Sequence, residues 1–254
     1  MGQINELFRK RIGISESEKV TFGNIPNILE KTANTIPFEN SSVLAKQSSD
    51  ISEENIMEKV LMRNEGGVCY ELNAALYFFF LENGLDVSLV RGVIYNQGWS
   101  ITGRTHVAIL LMHEGKPYLV DTGFGGNLPL RPVPLNGETV HSNNGEFRVK
   151  RMDTDHGDHI LELKLKHKDP EWRIGYAFDT AHPVEQMKEL NEVQTIIRQH
   201  PNSPFNKSRL ITRLTDNGSI TLTETSFTRW ADGKVEKEEV DKKRFKEILN
   251  QYFG

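Results

Sequence analysis

Cysteine is scarce in this sequence and long apolar segments are missing. Cys69 is the only cysteine among the 254 residues, so an intrachain disulfide is excluded and a cysteine-based zinc site is unsupported. The longest uninterrupted apolar run, Ala74 to Leu81, is much shorter than the ~20 residues of a membrane-spanning helix. The N-terminus lacks the apolar stretch of a secretory signal. We therefore expect a protein of the reducing cytoplasm with no membrane partner.

An excess of one charge sign is also missing. The chain has 31 Lys and Arg against 35 Asp and Glu, which gives a formal net charge of -4. Basic residues are scattered among acidic ones, so no broad basic surface for a nucleic-acid backbone is expected. Hydrophobic residues make up 37% of the chain, which is ample for a packed core.

Changes in the hydrophobic period divide the chain into three parts and predict an α+β fold. Residues 1–83 have helical signals and form the expected helical domain. Residues 84–190 contain short stretches with strand character and predict an antiparallel sheet or barrel. Residues 191–254 predict a smaller α/β unit, which is a meander followed by a final helix.

Local signals set the expected limits of several elements. Ser52 is a helix cap, Asn83 and Gly84 form a strong helix stop, a short helix is expected after Pro183, and Asp241 caps the last helix. The predicted strands are Val87 to Tyr95, Thr105 to Met112, Tyr118 to Asp121, Phe147 to Met152, Ile160 to Leu165, Arg209 to Leu214 and Ile220 to Thr225.

Cys69 follows two glycines and opens a segment with helical character that runs to Leu81. In the first turn of a helix, free backbone N–H groups and the helix dipole stabilise a thiolate, which is the nucleophilic form of cysteine. Gly66 and Gly67 allow a close approach of the backbone to a ligand. A lone cysteine on an apolar helix is more often a small buried hydrophobe, so catalysis requires partner residues.

His106 and Asp121 lie in a stretch that predicts two strands joined by a tight turn. With a two-residue loop at His113-Glu114 or at Glu114-Gly115, the two side chains lie opposite each other or one diagonal step apart, on the same face. A three-residue loop without a bulge would separate them. A carboxylate beside the imidazole fixes its tautomer and leaves the other nitrogen free to accept a thiol proton. With the cysteine, this pair forms the set of groups used in thiol acyl transfer.

The chain resembles the arylamine N-acetyltransferase family nearly from end to end. The matching blocks are Ile36 to Asn40, the signature residues Gly66, Gly67, Cys69, Glu71 and Asn73, the segment with Thr102, Gly103 and His106, the block Val120 to Gly125, and Pro201 to Phe205. Each block is modest alone, and together they are very specific.

The resemblance implies a helical domain that carries Cys69, a β-barrel domain that carries His106 and Asp121, and an α/β lid, with a papain-like Cys/His/Asp arrangement. It implies a ping-pong reaction in which Cys69 takes acetyl from acetyl-CoA, releases coenzyme A, and passes the acetyl group to an arylamine, hydrazine or hydroxylamine. His106 would be the base and Asp121 its orienting partner, with no metal. The implied coenzyme contacts are Thr102, Gly103 and Asn202, and the implied acceptor contacts are Phe38, Phe124 and Thr105.

Two departures from the family pattern concern the loop before the cysteine and the C-terminus. The family usually has arginine immediately before the two glycines, where it ties the active-site helix to the Ile36 to Asn40 loop. This chain has Glu65 there, with Arg63 two positions earlier. The chain is also short after its last helix, so coenzyme contacts from the tail of the lid are not carried over.

Two other functions fit part of the pattern. A transglutaminase-like or papain-like amide-cleaving enzyme would use the same three groups without CoA. In a non-catalytic binding protein, Cys69 would be a core residue. The acidic cluster Asp153 to His159 is interpreted as a solvated hairpin tip and not as a metal site, because Lys164 stands where an EF-hand requires an acidic ligand.

Overall fold

The computed structural model describes residues 2–47, 49–166 and 168–253. Its α-helices are α1 (Gln3–Ile12), α2 (Ile25–Thr35), α3 (Ser41–Leu44), α4 (Glu53–Ile56), α5 (Cys69–Glu82), α6 (Lys188–Gln199) and α7 (Lys242–Tyr252), with short 3-10 turns at Phe22–Asn24 and Pro204–Asn206 and a π-helix at Met57–Met62. Within these described ranges, no helix is long and apolar enough to cross a membrane.

The strands form two antiparallel sheets. They are β1 (Phe38–Glu39), β2 (Asp86–Ile94), β3 (His106–His113), β4 (Lys116–Val120), β5 (Val133–Pro134), β6 (Val140–Ser142), β7 (Gly145–Thr154), β8 (Gly157–Leu165), β9 (Arg173–Phe178), β10 (Leu210–Thr215), β11 (Gly218–Thr223), β12 (Ser226–Ala231) and β13 (Lys234–Glu239). The predicted α+β class and the antiparallel barrel are confirmed.

The larger sheet has the strand order β5-β4-β3-β2-β9-β8-β7-β6. It curls into a nearly closed barrel, because β5 and β7 contact each other although six places separate them in that order. Alternate side chains of these strands, among them Val90, Phe147, Leu161 and Phe178, pack in the barrel interior. The barrel therefore gives the strands next to the site a rigid support.

The hairpin of β3 and β4 has the predicted two-residue loop. His113 pairs with Lys116 across Glu114 and Gly115, which both have positive φ, 50° and 73°. These angles belong to a type I′ turn, whose twist matches that of the two strands. In this register His106 and Asp121 are one diagonal step apart, as one of the two predicted alternatives requires.

Helix α5 is the centre of the helical part. The run Tyr77 to Phe80 covers several sides of the helix, and Phe78, Phe79 and Phe80 are buried between α1 and the sheet. As expected, α5 ends before Asn83 and Gly84, and Gly84 adopts a positive φ of 75°. Burial on all sides fixes the position of the first turn of α5, which carries Cys69.

The smaller sheet has the order β1-β10-β11-β12-β13, and α7 packs on it. The Asp241 side chain accepts a hydrogen bond from Arg244 N and caps α7 as predicted. β12 and β13 were absent from the sequence prediction, and so was β1, which joins this sheet from residue 38. The helix predicted after Pro183 is longer than expected. It also runs across residue 190, where the second predicted domain ends. The division into three domains stays a prediction.

Candidate active site

Cys69 is the first residue of α5, as the two preceding glycines indicated. The Glu71 carboxylate accepts a hydrogen bond from Val68 N at 3.0 Å and so caps the helix start. A Cβ on Gly66 would overlap the carbonyl oxygen of Pro37, and Gly67 bridges to Phe38. Glycine is required there because the loop before the cysteine packs directly against the backbone of the neighbouring segment.

His106 and Asp121 meet at the end of the β3–β4 hairpin. His106 Nε2 lies 2.7 Å from Asp121 Oδ2, and both side chains are almost fully buried. The Cys69 thiol lies close enough to the ring to contribute to the raised pKa of His106. Since Nε2 faces the carboxylate, Nδ1 is the nitrogen left for the thiol. The three residue types therefore form a continuous Cys–His–Asp chain.

The Asp121 carboxylate receives four hydrogen bonds. Oδ1 accepts from Asn73 Nδ2 at 2.9 Å and from Gly123 N at 2.7 Å. Oδ2 accepts from His106 Nε2 at 2.7 Å and from the Tyr176 hydroxyl at 2.9 Å. A buried carboxylate is costly unless it is paired and hydrogen-bonded. These donors keep Asp121 ionised and hold it in one orientation.

The electrostatics of this pair favour the charged forms. Burial opposes the charge on His106, but the charge and hydrogen bond of Asp121, together with the contact to Cys69, raise the pKa of His106 to about 10. For Asp121, burial is again the largest single effect and acts against the charge, yet His106 and the other donors hold its pKa below the ordinary value. At neutral pH the site therefore contains an imidazolium next to a carboxylate.

The segments next to His106 and Asp121 position the sulfur. Cys69 Sγ lies 3.5 Å from the carbonyl oxygen of Thr105. A Cβ on Gly123 would lie 2.6 Å from Cys69 Cα and 2.6 Å from Asn73 Nδ2. The loop after Asp121 therefore passes so close to α5 that only glycine fits at position 123.

A cavity of about 620 Å³ opens above the sulfur. Its wall includes the predicted residues Phe38, Thr102, Thr105 and Phe124 beside Cys69 and His106, and it also includes Trp99 and Phe205, which the sequence analysis did not select. Asn202 lies in an exposed turn next to the lining residue Ser203, and Gly103 lies between two lining segments. Neither belongs to the lining, so their coenzyme contacts stay predictions.

Tyr176 is a site residue that sequence reasoning missed. It lies on β9, 55 positions from Asp121, and no local motif marks it. Its ring also packs against that of His106, with centroids 4.4 Å apart. Only the pairing of β9 with β2 brings this strand next to the hairpin.

The charged residues before Cys69 differ in role from the family arrangement. Arg63 lies on the surface, where it pairs with Glu58 at 2.6 Å and with Glu65 at 2.8 Å. The buried cation is Lys59, whose Nζ lies 2.6 Å from the Glu71 carboxylate. Arg63 therefore does not contact the active-site helix, whereas Lys59 supports the residue that caps it.

Metal chemistry has no candidate site in the part of the chain that is described. No group of three or more His, Cys, Asp or Glu side chains there could hold a metal ion. The acidic stretch Asp153 to His159 includes the turn of the β7–β8 hairpin, as expected.

A family model and several known proteins match most of this chain. A family model described as "N-acetyltransferase" matches residues 21–254. An uncharacterized acetyltransferase of Bacillus subtilis, YvcN, is 41% identical over 94% of this chain and 93% of its own length. An arylamine N-acetyltransferase / N-hydroxyarylamine O-acetyltransferase of Salmonella typhimurium is 32% identical over 86% of this chain and 77% of its own length.

A solved structure is similar over the full chain. The NAT3 arylamine N-acetyltransferase of Bacillus cereus has 40% identity and a TM-score of 0.94, with 100% of this chain and 99% of that chain covered. That enzyme has a unique Cys-His-Glu catalytic triad, whereas in this chain the carboxylate on the histidine is that of Asp121. The chain belongs to the arylamine N-acetyltransferase family of acetyl-CoA-dependent transferases.

Proposed function

We propose that Cys69 carries the acetyl group between acetyl-CoA and an amine acceptor, with His106 as the proton carrier and Asp121 as its orienting partner. The observation that supports this assignment is the buried Cys–His–Asp chain at the floor of the cavity. Acyl transfer through a cysteine needs an activated sulfur, an adjacent base and a third group that orients the base. All three are present within hydrogen-bond reach.

In the first half-reaction, His106 holds the proton of the Cys69 thiol, and the sulfur attacks the thioester carbon of acetyl-CoA. The new S–C bond forms as the bond between that carbon and the coenzyme sulfur breaks. The leaving thiolate takes the proton from the imidazolium and departs as coenzyme A. One thioester replaces another, so the step is nearly balanced in free energy.

In the second half-reaction, the nitrogen of the acceptor attacks the acetyl group on Cys69. His106 accepts the proton that the nitrogen loses, the C–S bond breaks, and the sulfur leaves as thiolate. The sulfur next to the protonated His106 is the starting state again. Positioned proton transfer of this kind typically contributes ~10²–10⁴-fold to the rate.

The acceptor class follows from the cavity wall. Phe38, Phe124, Phe205 and Trp99 surround the space above the sulfur, and aromatic faces of this kind favour a flat aromatic acceptor. We assign arylamines, aryl hydrazines and N-hydroxyarylamines as acceptors, with Thr105 as a further contact. The Salmonella typhimurium relative, whose name includes both N- and O-acetyl transfer, supports this assignment.

For the donor we retain Thr102, Gly103 and Asn202 as coenzyme contacts. Thr102 lines the cavity, and its hydroxyl lies in a chain between those of Ser100 at 2.7 Å and Thr105 at 3.0 Å. We also place the reaction in a reducing cytoplasm, because the mechanism needs Cys69 as a free thiol.

Intact-protein mass spectrometry after brief incubation with acetyl-CoA tests the assignment. We expect one added acetyl group on Cys69, located by peptide mapping, and its loss when an aromatic amine is added. Cys69→Ala and Cys69→Ser should form no adduct and show no turnover. An adduct on another residue, or turnover by either variant, would rule out the cysteine mechanism. Release of ammonia from amide substrates without CoA would point to the amide-cleaving alternative.

A further inference from the structure

Lys168 lies where the cavity of the active site meets the smaller sheet. Of the described residues that line the cavity, it is the only lysine or arginine, and none is Asp or Glu. Its ammonium lies 5.2 Å from the centre of the Trp230 ring on β12. A Cβ on Gly126, in the loop that leads away from the active site, would lie 4.0 Å from Lys168 Nζ. The ammonium is thus held between β12 and the cavity wall.

The turn that carries Lys168 is fixed by its neighbours. Asp169 accepts hydrogen bonds from Leu165 N at 3.0 Å and from Arg173 Nε at 2.9 Å. Arg173 in turn donates to Asn127 Oδ1 at 2.9 Å, and Asn127 belongs to the cavity wall. This network ties the end of β8 to the loop that begins beside Cys69.

The same network leaves Lys168 without a carboxylate partner among the described residues. Within the described ranges, no ion pair involves Lys168, since the adjacent Asp169 pairs with Arg173. Lys168 as a whole is exposed, but the surroundings of its ammonium lower its pKa, first by desolvation and then by Arg173, with Asp169 acting in the opposite direction. A cation in the cavity wall that has no carboxylate partner favours the arrival of an anion.

We propose that Lys168 is the anchor for the phosphate groups of the acetyl donor. This rests on the proposed function, because the anion is the donor of that reaction. Gly123 is in contact with the helix start at Cys69, and Gly126, which faces Lys168, is three residues further along. Three residues span at most about 11 Å. The pantetheine arm of acetyl-CoA, which separates the thioester from the phosphates, would run along this loop.

The role can be tested by changing the donor and the residue together. Lys168→Met removes the charge but keeps a long apolar side chain against Trp230, and Lys168→Arg keeps the charge. Lys164→Met on β8 makes the same change of charge outside the cavity lining and serves as the control. The donors are acetyl-CoA, S-acetylpantetheine and p-nitrophenyl acetate, of which only the first carries phosphate.

We expect Lys168→Met to lower kcat/KM for acetyl-CoA by about three- to tenfold, as for one partly screened charge contact. The two phosphate-free donors should react at wild-type rates, and kcat/KM for the acceptor should not change, because coenzyme A has left before the acceptor reacts. Lys168→Arg should restore most of the loss. The dependence of kcat/KM on salt should be weaker in Lys168→Met than in the wild type.

Four outcomes would overturn the proposal. An equal loss with S-acetylpantetheine would show a structural effect, and an unchanged kcat/KM for acetyl-CoA would show that Lys168 does not contact the donor. An equal loss of kcat/KM for acetyl-CoA in Lys164→Met would show that the effect comes from the net charge of the protein and not from a contact of Lys168. If the wild type is acylated by p-nitrophenyl acetate and not by acetyl-CoA, both the donor assignment and the anchor are wrong, which separates that failure from a failure of Lys168 alone.

Discussion

Tyr176 donates its phenolic hydrogen to Oδ2 of Asp121 at 2.9 Å, and the same oxygen accepts the hydrogen bond of His106 Nε2 at 2.7 Å. The tyrosine therefore acts on the histidine through the shared carboxylate oxygen. Burial and the negative charge of Asp121 raise the pKa of Tyr176 well above its ordinary value, so it remains a donor at every pH of interest. Tyr176 is a positioning residue for the proton carrier.

Tyr176→Phe tests this relationship, because it removes one donor and retains the ring. We expect about a tenfold loss of kcat/KM, since Asp121 loses one of the four hydrogen bonds that orient it. The free energy of unfolding should fall by about 1 kcal/mol. Tyr118→Phe on β4 is the matched control, because its hydroxyl makes no hydrogen bond within the described residues. A similar loss of activity in both variants would contradict the role of Tyr176.

Substitution of Asp121 by asparagine removes the charge of the side chain and keeps its shape, so it measures the contribution of the charge to activity. Both carboxylate oxygens accept hydrogen bonds from donors, so the amide nitrogen of Asp121→Asn must face one pair of them. The histidine is then expected to carry its proton on Nδ1, which faces Cys69, and to lose its function as a base. We expect a folded protein in which kcat/KM falls by about 10²–10⁴-fold.

Asp121→Glu is the companion variant, because the Bacillus cereus relative has a Cys-His-Glu triad. It keeps the charge, and we expect it to retain at least ten times the activity of Asp121→Asn. Circular dichroism and thermal unfolding would establish that both variants fold. Wild-type activity in Asp121→Asn would refute the orienting role, and an Asp121→Glu variant no better than Asp121→Asn would show that position matters more than charge.

The sequence predicts much of this site because its parts are local. Cys69 is found from the two glycines before a helical run, and the His106–Asp121 pair from the register of one short hairpin. Loop length alone settles whether these two side chains share a face, since one residue more would move them apart.

The remaining contacts depend on the packing of distant segments. Tyr176 reaches Asp121 only after β9 has paired with β2. Likewise β1 joins β10 at positions more than 170 residues apart. A two-residue strand such as Phe38–Glu39 has no period to recognise. The alternating charges of β13 indicate an exposed segment, and the strand is exposed along its full length. Exposure alone does not indicate a strand.

The Lys59–Glu71 pair should be far more important for stability than the ion pairs of Arg63. Lys59 and Glu71 are both buried and 2.6 Å apart, whereas Arg63 and its partners are exposed. Loss of one partner of a buried pair leaves an uncompensated charge and typically costs about 3–5 kcal/mol. An exposed pair contributes about 0–1 kcal/mol.

We therefore expect Lys59→Met to lower the free energy of unfolding by about 3 kcal/mol and Arg63→Met by less than about 1 kcal/mol, as measured by urea denaturation. Because Glu71 caps the helix start at Val68, the loss in Lys59→Met should also slow acetylation of Cys69. Equal destabilisation by the two substitutions would show that the surface pairs, and not Lys59, secure this loop.

The protonation of His106 should make stability depend on pH. In the folded protein its pKa is raised to about 10 from the ordinary value of 6.5, so folding favours the protonated ring. The resulting stabilisation is complete below pH 6.5 and is lost as the pH rises through about 10. Urea unfolding of the wild type and of His106→Gln, compared at several pH values across this range, isolates the contribution of the ring. The difference in unfolding free energy between the two proteins should shrink steadily as the pH rises. A difference that stays constant would mean that the ring is neutral in the folded protein and that the site does not contain an imidazolium–carboxylate pair.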